Sequence, residues 1–155
     1  MKELYNITCH QMRTLIKYYN KTVQDRDKEL ITVREMERDL IWKPRNKAFI
    51  EITKDRHEFK HHELDKKLQI EIMFRQETIE QLNRDIELVN QFMDNAVVIC
   101  DEDDFRAINL FKRGMNIERI GDEIARSYNN VHYRIEKGIR DTLDEIRDNH
   151  ILDNI

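Results

Sequence analysis

The sequence predicts an all-α fold, an elongated antiparallel bundle of three or four long helices. From Leu64 to Cys100, apolar residues recur in unbroken four- and three-residue steps: Leu68, Ile72, Ile79, Leu82, Ile86, Val89, Met93, Ala96 and Cys100, with Arg75 the one polar member. That is the period of a helix packed along its whole length. A second such pattern runs from about Asp104 to Arg147. The third observation is compositional. Charged residues reach 37% and apolar ones 39%, with 3 glycines and 1 proline. An average globular domain has about 25% charged and 45–50% apolar residues, so the skew points to exposed helices with narrow buried seams. At 155 residues the chain fits a single domain.

From Lys2 to about Lys43 one seam carries Tyr5, Cys9, Met12, Ile16, Tyr19, Val23, Leu30, Val33 and Leu40, interrupted by Arg26 and Glu37. It reads as one long or slightly broken helix. The alternative is a hairpin split by a turn at Gln24 to Asp27, where helix formers are poor. Pro44 marks the clearest boundary, because the residue before a proline is pushed away from helical angles.

Between residues 45 and 63, Phe49, Ile52 and Phe59 share a face, and His57 and His61 stand at i,i+4. That spacing can hold a transition metal, and Glu58 to His61 matches the E-x-x-H half-motif of carboxylate di-iron bundles. A di-iron site needs a second such motif, and the chain has none, so His57, His61 and His62 read as mostly solvated. The 64–100 helix would be roughly 55 Å long at 1.5 Å per residue. Its Arg75 lies beside Glu77 and Glu80. Asp101 to Asp104 form an acidic turn that suits the positive end of the next helix. The run lacks the alternating ligands and central glycine of a calcium loop.

In the 104–147 pattern one row is Leu110, Gly114, Ile117, Gly121, Ile124, Tyr128, Val131 and Ile135. Glycine costs roughly 1 kcal/mol against alanine inside a helix, so Gly114 and Gly121 predict a neighbouring helix too close for a side chain. The next row is Ile108, Phe111, Met115, Glu118, Asp122 and Ala125, apolar except for two carboxylates one turn apart. Such a pair can hold one divalent cation or flank a small cluster. Its alternative is two solvated acids paired with Arg119 and Arg126.

The run from Asp103 to Asp122, ending Glu118-Arg119-Ile120-Gly121-Asp122, resembles the third helix of a three-helix repeat in the PhoU family of phosphate-signalling proteins, whose hallmark is an E-R-x-G-D stretch. The resemblance extends back to Arg75-Gln76-Glu77-Thr78-Ile79-Glu80, where the family has an acid-rich stretch, and covers roughly residues 64–138. It implies a metal ion, divalent or iron, at Glu118 and Asp122, with Glu77 and Glu80 as further candidates. Where the family often carries an asparagine four residues after the motif aspartate, this chain has Arg126. The simple two-helix geometry does not bring the two acid pairs to the same level, so a further ligand would come from the N-terminal helices or another subunit.

Net charge is −4, with the signs interspersed, which leaves no nucleic-acid footprint and no basic membrane face. No apolar run approaches the ~18 residues of a membrane span and no signal-peptide pattern opens the chain, so a cytoplasmic location without membrane insertion is expected. Cys9 and Cys100 lie far apart with no C-x-x-C, and read as two reduced core thiols. No enzyme constellation is present: there is no phosphate loop and no nucleophile beside a histidine base.

The leading expectation is therefore a PhoU-like metal-binding regulatory protein acting on a phosphate transporter or its sensor kinase. The alternative is a small acidic helical interaction protein (adaptor, chaperone or viral inhibitor) that binds a protein partner without metal, with Tyr18, Tyr19 and Trp42 as contact aromatics. A coiled-coil homodimer is the third reading.

Overall fold

The computed structural model of the chain describes the backbone of residues 3–42 and 54–154, and the side chains of residues 3–40 and 65–154. The side chains of Trp42, His57, Glu58, Phe59, His61 and His62, and all of Pro44, Phe49 and Ile52, lie outside the described residues. The described chain is all-helical. A 3-10 turn at Leu4–Asn6 precedes α1 (Cys9–Lys17), α2 (Tyr19–Trp42), α3 (Lys54–Ile99), α4 (Glu102–Lys112), α5 (Ile117–Ile124) and α6 (Tyr128–Asp153). No described helix is long and apolar enough to cross a membrane.

Two compact units make up the chain: residues 1–23 with 84–155, and residues 24–83. In the first, Ile7, Met12, Ile16, Phe92, Ile108, Ile120, Ile135, Ile139 and Leu143 are fully buried in one core. The second is a helix pair whose described core is Val33, Ile72 and Ile79, with Leu30, Met36, Leu40 and Leu68 packed around them.

The α3 seam is where the sequence predicts it. Ile72, Ile79, Ile86, Val89, Met93 and Ala96 are buried, and Leu68, Leu82 and Cys100 half-buried. The helix starts earlier than expected, at Lys54.

The N-terminal region follows the slightly broken helix of the first sequence reading and not the hairpin that turns at Gln24 to Asp27. Gln24 to Asp27 is helical, in the body of α2, and the break comes at Tyr18. The Tyr18 amide bonds the Thr14 carbonyl at 3.1 Å, while the Thr14 hydroxyl donates to the His10 carbonyl at 3.0 Å. Such back-bonding bends helices. Upstream, Thr8 starts α1 with a capping box: its hydroxyl accepts from the Gln11 amide at 3.2 Å, and its own amide donates to the Gln11 side chain at 3.1 Å. Along α2, packing of Leu30, Val33 and Met36 outweighs the weak propensity of residues 24–27.

The single helix expected over 104–147 is three helices. Gly114 takes φ +88°, a left-handed conformation that stops α4, and Ala125 takes φ 54° at the end of α5. The new starts are capped: Asn116 Oδ1 accepts from the Arg119 amide at 2.9 Å, and Ser127 Oγ from the Asn130 amide at 3.2 Å.

These breaks correct the expectation for the glycines. Gly114 is exposed at a turn. A Cβ on Gly121 would meet the carbonyl oxygen of Arg126 at 2.7 Å, so the close approach is the chain's own return and not a neighbouring helix. The glycine at a helix–helix contact is Gly138 on α6, where a Cβ would lie 2.6 Å from Ile108 Cδ1 and 3.4 Å from Cys100 Sγ.

Candidate functional site

Glu118 and Asp122 sit on α5, a helix of 8 residues bounded by the Asn116 cap and the left-handed Ala125. Because α5 is separate from α4 and α6, the row that runs through them on one continuous helix does not exist. Ile120, Gly121 and, partly, Ile117 and Ile124 face inward, and both acids are exposed. Glu118 lies in the first turn, where the helix dipole favours a carboxylate. The expected pairing with Arg126 is not made: Arg126 Nη2 pairs with Asp103 at 3.3 Å.

Glu77 and Glu80 belong to α3 in the 24–83 unit and are exposed as well. Arg75 does not serve them. Its guanidinium binds Glu29 at 3.0 Å and Glu71 at 3.2 Å, and these hydrogen bonds, that to Glu29 first, raise its pKa further. A cation in the α2–α3 seam is thus matched by one acid from each helix.

A metal ion asks for about four ligands if it is zinc and six to eight if it is calcium. Among the described residues no group of three or more His, Cys, Asp or Glu side chains converges. Glu118 and Asp122 offer two carboxylates on a solvated face, which does not complete a site.

Among the described residues, the strongest convergence of charge lies elsewhere. Asp104, the third residue of α4, is 1% exposed. Arg134 Nη1 donates to its Oδ1 at 3.1 Å and Lys137 Nζ to its Oδ2 at 3.2 Å. Lys137 also reaches Asp101 at 3.0 Å, and Arg134 lies 3.8 Å from Asp103. The acids of the 101–104 turn therefore do more than favour a helix start; they lock α4 to α6. The hydrogen bonds to Asp101 and Asp104 hold the Lys137 ammonium well above the usual lysine range. Beside them the Cys100 thiol lies 3.1 Å from Thr142 Oγ1 and 3.4 Å from the Gly138 carbonyl, and burial pushes its pKa up. Cys9 and Cys100 are both free thiols, half-buried.

Sequence reasoning missed this network because Asp104 is 30 and 33 residues from its partners. No helical spacing links groups that far apart. The same holds for Arg13, which donates to Glu136 Oε1 at 2.9 Å, lies 2.7 Å from His132 Nδ1 and stacks its guanidinium over Phe111 at 5.6 Å. All these polar groups are satisfied by one another, as structural groups are.

The other feature is apolar. On α3 of the 24–83 unit, Ile70, Met73 and Phe74 are 50%, 51% and 60% exposed. At i, i+3 and i+4 they form one stripe, and at about 100° per residue this stripe lies roughly opposite the Leu68, Ile72 and Ile79 seam. Of the aromatics expected at an interface, Tyr18 is exposed, whereas Tyr19 is half-buried, donating to Asn90 Oδ1 at 3.0 Å beneath the Lys112 ammonium. No family model, curated protein or solved structure matches the chain.

Proposed function

We propose that this protein works by binding and not by catalysis, as a helical interaction protein whose α3 presents an apolar stripe to an amphipathic helix of a protein partner. The observation that carries this reading is the exposure of Ile70, Met73 and Phe74 together on one face. Lone exposed apolar residues are ordinary, but three in one stripe on a helix already packed on its other side mark a contact surface. Among the described residues, the polar clusters around Asp104 and Arg13 support the reading by being engaged with one another. Affinity capture with the wild-type chain and the Met73→Glu/Phe74→Glu variant tests it. The stripe predicts partners retained by the wild type and lost by the variant; identical recovery by both removes the reading.

A second reading rests on the exposure of Glu118 and Asp122 on one face of α5. Under it the chain is a PhoU-like elongated antiparallel bundle that recruits a metal with ligands from another subunit and regulates a phosphate transporter or sensor kinase. Elemental analysis of the untagged protein beside Glu118→Ala/Asp122→Ala separates the two. Stoichiometric metal lost in the variant favours the second reading, and metal-free protein indifferent to chelator favours the first.

A further inference from the structure

Among its described residues, the helix pair of the 24–83 unit buries a single narrow seam. Its described core is Val33, Ile72 and Ile79, with four half-buried residues around it. Two helices sharing one seam bury little apolar surface, and helical stability in water comes mostly from packed faces. On the opposite face of α3, the stripe of Ile70, Met73 and Phe74 stands exposed, with no described residue burying it.

We infer that this stripe is covered by the same stripe of a second copy of the chain, the two α3 helices crossing antiparallel about a twofold axis at the level of Ile72. This rests on the binding reading above and names its partner. The argument is register and charge. Along α3 the exposed residues Lys67, Ile70, Phe74 and Glu77 follow three-, four- and three-residue steps, a single coiled-coil seam. An antiparallel twofold at Ile72 sets Ile70 of one copy against Phe74 of the other, so the apolar pair meets itself twice. The same operation sets Lys67 against Glu77 at both ends of the contact. Every position on the seam thus meets a residue of matching character, as an isologous interface requires. Neither Lys67 nor Glu77 makes an ion pair among the described residues, so both remain available for the exchange. A parallel pairing sets Lys67 against Lys67 and Glu77 against Glu77, like charges at each end. The product is a four-helix arrangement in which each α3 has an apolar face on two sides, one to its own α2 and one to the other copy.

Sedimentation velocity across a concentration series tests this, with α-helical content checked by circular dichroism in each variant. The wild type is expected to approach twice the chain mass of 19.0 kDa. Phe74→Glu, at an exposed position, is expected to leave helicity intact and give monomer. Lys67→Glu is expected to raise the dimer dissociation constant about tenfold, since two pairs per dimer turn repulsive, and Lys67→Glu/Glu77→Lys to restore it. A photo-crosslinking phenylalanine analogue at position 74 is expected to join two chains.

Wild type that stays monomeric overturns the inference, as does a dimer indifferent to Phe74→Glu or a crosslink confined to one chain. A monomer whose stripe still retains a different protein overturns self-association and leaves the binding reading standing. A monomer with no stripe-dependent capture removes both.

Discussion

Lys137 Nζ stands 3.2 Å from Asp104 Oδ2, and that carboxylate is almost wholly removed from solvent while its second oxygen receives Arg134. One buried acid is thereby shared by two cations from α6, one helical turn apart. The arrangement ties the start of α4 to the middle of α6.

Replacing Asp104 with alanine removes the buried carboxylate that both cations share and leaves Lys137 with Asp101 and Arg134 with Asp103. Breaking a buried pair from one side costs about 3–5 kcal/mol, and the lower end applies because Arg134 and Lys137 keep some contact with water. Asp104→Ala is expected to lower unfolding stability by about 3 kcal/mol in urea titration, and a change below about 1 kcal/mol would show that the network is solvated in solution.

Gly138 faces Ile108 Cδ1 and Cys100 Sγ with no room for a methyl group. Gly138→Ala gains about 1 kcal/mol of helix propensity but must displace the terminal methyl of the fully buried Ile108, and overpacking costs about 1–3 kcal/mol. Net destabilisation is expected, and Gly138→Ala/Ile108→Val should recover part of it. At Gly114 the cost is backbone strain at φ +88°, so no partner substitution should rescue Gly114→Ala. Thermal melts of the four proteins distinguish the two mechanisms.

Burial holds the Cys100 thiol above its ordinary pKa. Since the thiolate is the nucleophile, Cys100 is expected to alkylate with iodoacetamide more slowly than an unstructured cysteine at pH 8. Mass-spectrometric timing of each site in native and denatured protein measures this, and equal rates for Cys100 in the two states would contradict it.

Cys100 and Lys137 are both raised, so the folded chain keeps protons that the unfolded chain has begun to release. Their contribution to stability is full below the ordinary thiol range and is lost as pH rises through the shifted values. Stability is expected to fall with pH above about 8.5, first through Cys100 and then through Lys137. A Cys100→Ala/Lys137→Met variant should show a flatter alkaline limb in melts at stepped pH.

How legible this fold was depended on the range of each signal. The α3 seam could be read residue by residue, because a helix buried along one line repeats its signal many times. The divisions at Tyr18, Gly114 and Ala125 were harder, since apolar spacing carries on across a break when the next helix packs on the same core. Local signs were present: Thr8 with Gln11 three residues later, Asn116 just after Gly114, and Ser127 all mark helix starts. The contacts of Asp104 and Arg13 had no local sign, because their partners come from helices remote in sequence. Exposure of Ile70, Met73 and Phe74 was hidden for a different reason. A second apolar row on an amphipathic helix reads as more core until its neighbours are placed.

Near the start of the chain, Arg147 Nη2 donates to the Ile7 carbonyl and its Nε to the Tyr5 carbonyl, while the Tyr5 ring stacks on His150 at 3.7 Å. These bonds join residues about 140 positions apart. Synthesis makes the first partner long before the second, so residues 4–7 must wait for α6 to leave the ribosome before they have anything to dock on. Closing so long a loop is slow relative to forming the α3–α4 turn. The final consolidation of this unit is therefore expected to follow translation, when the 3-10 turn and α1 dock on α6 together.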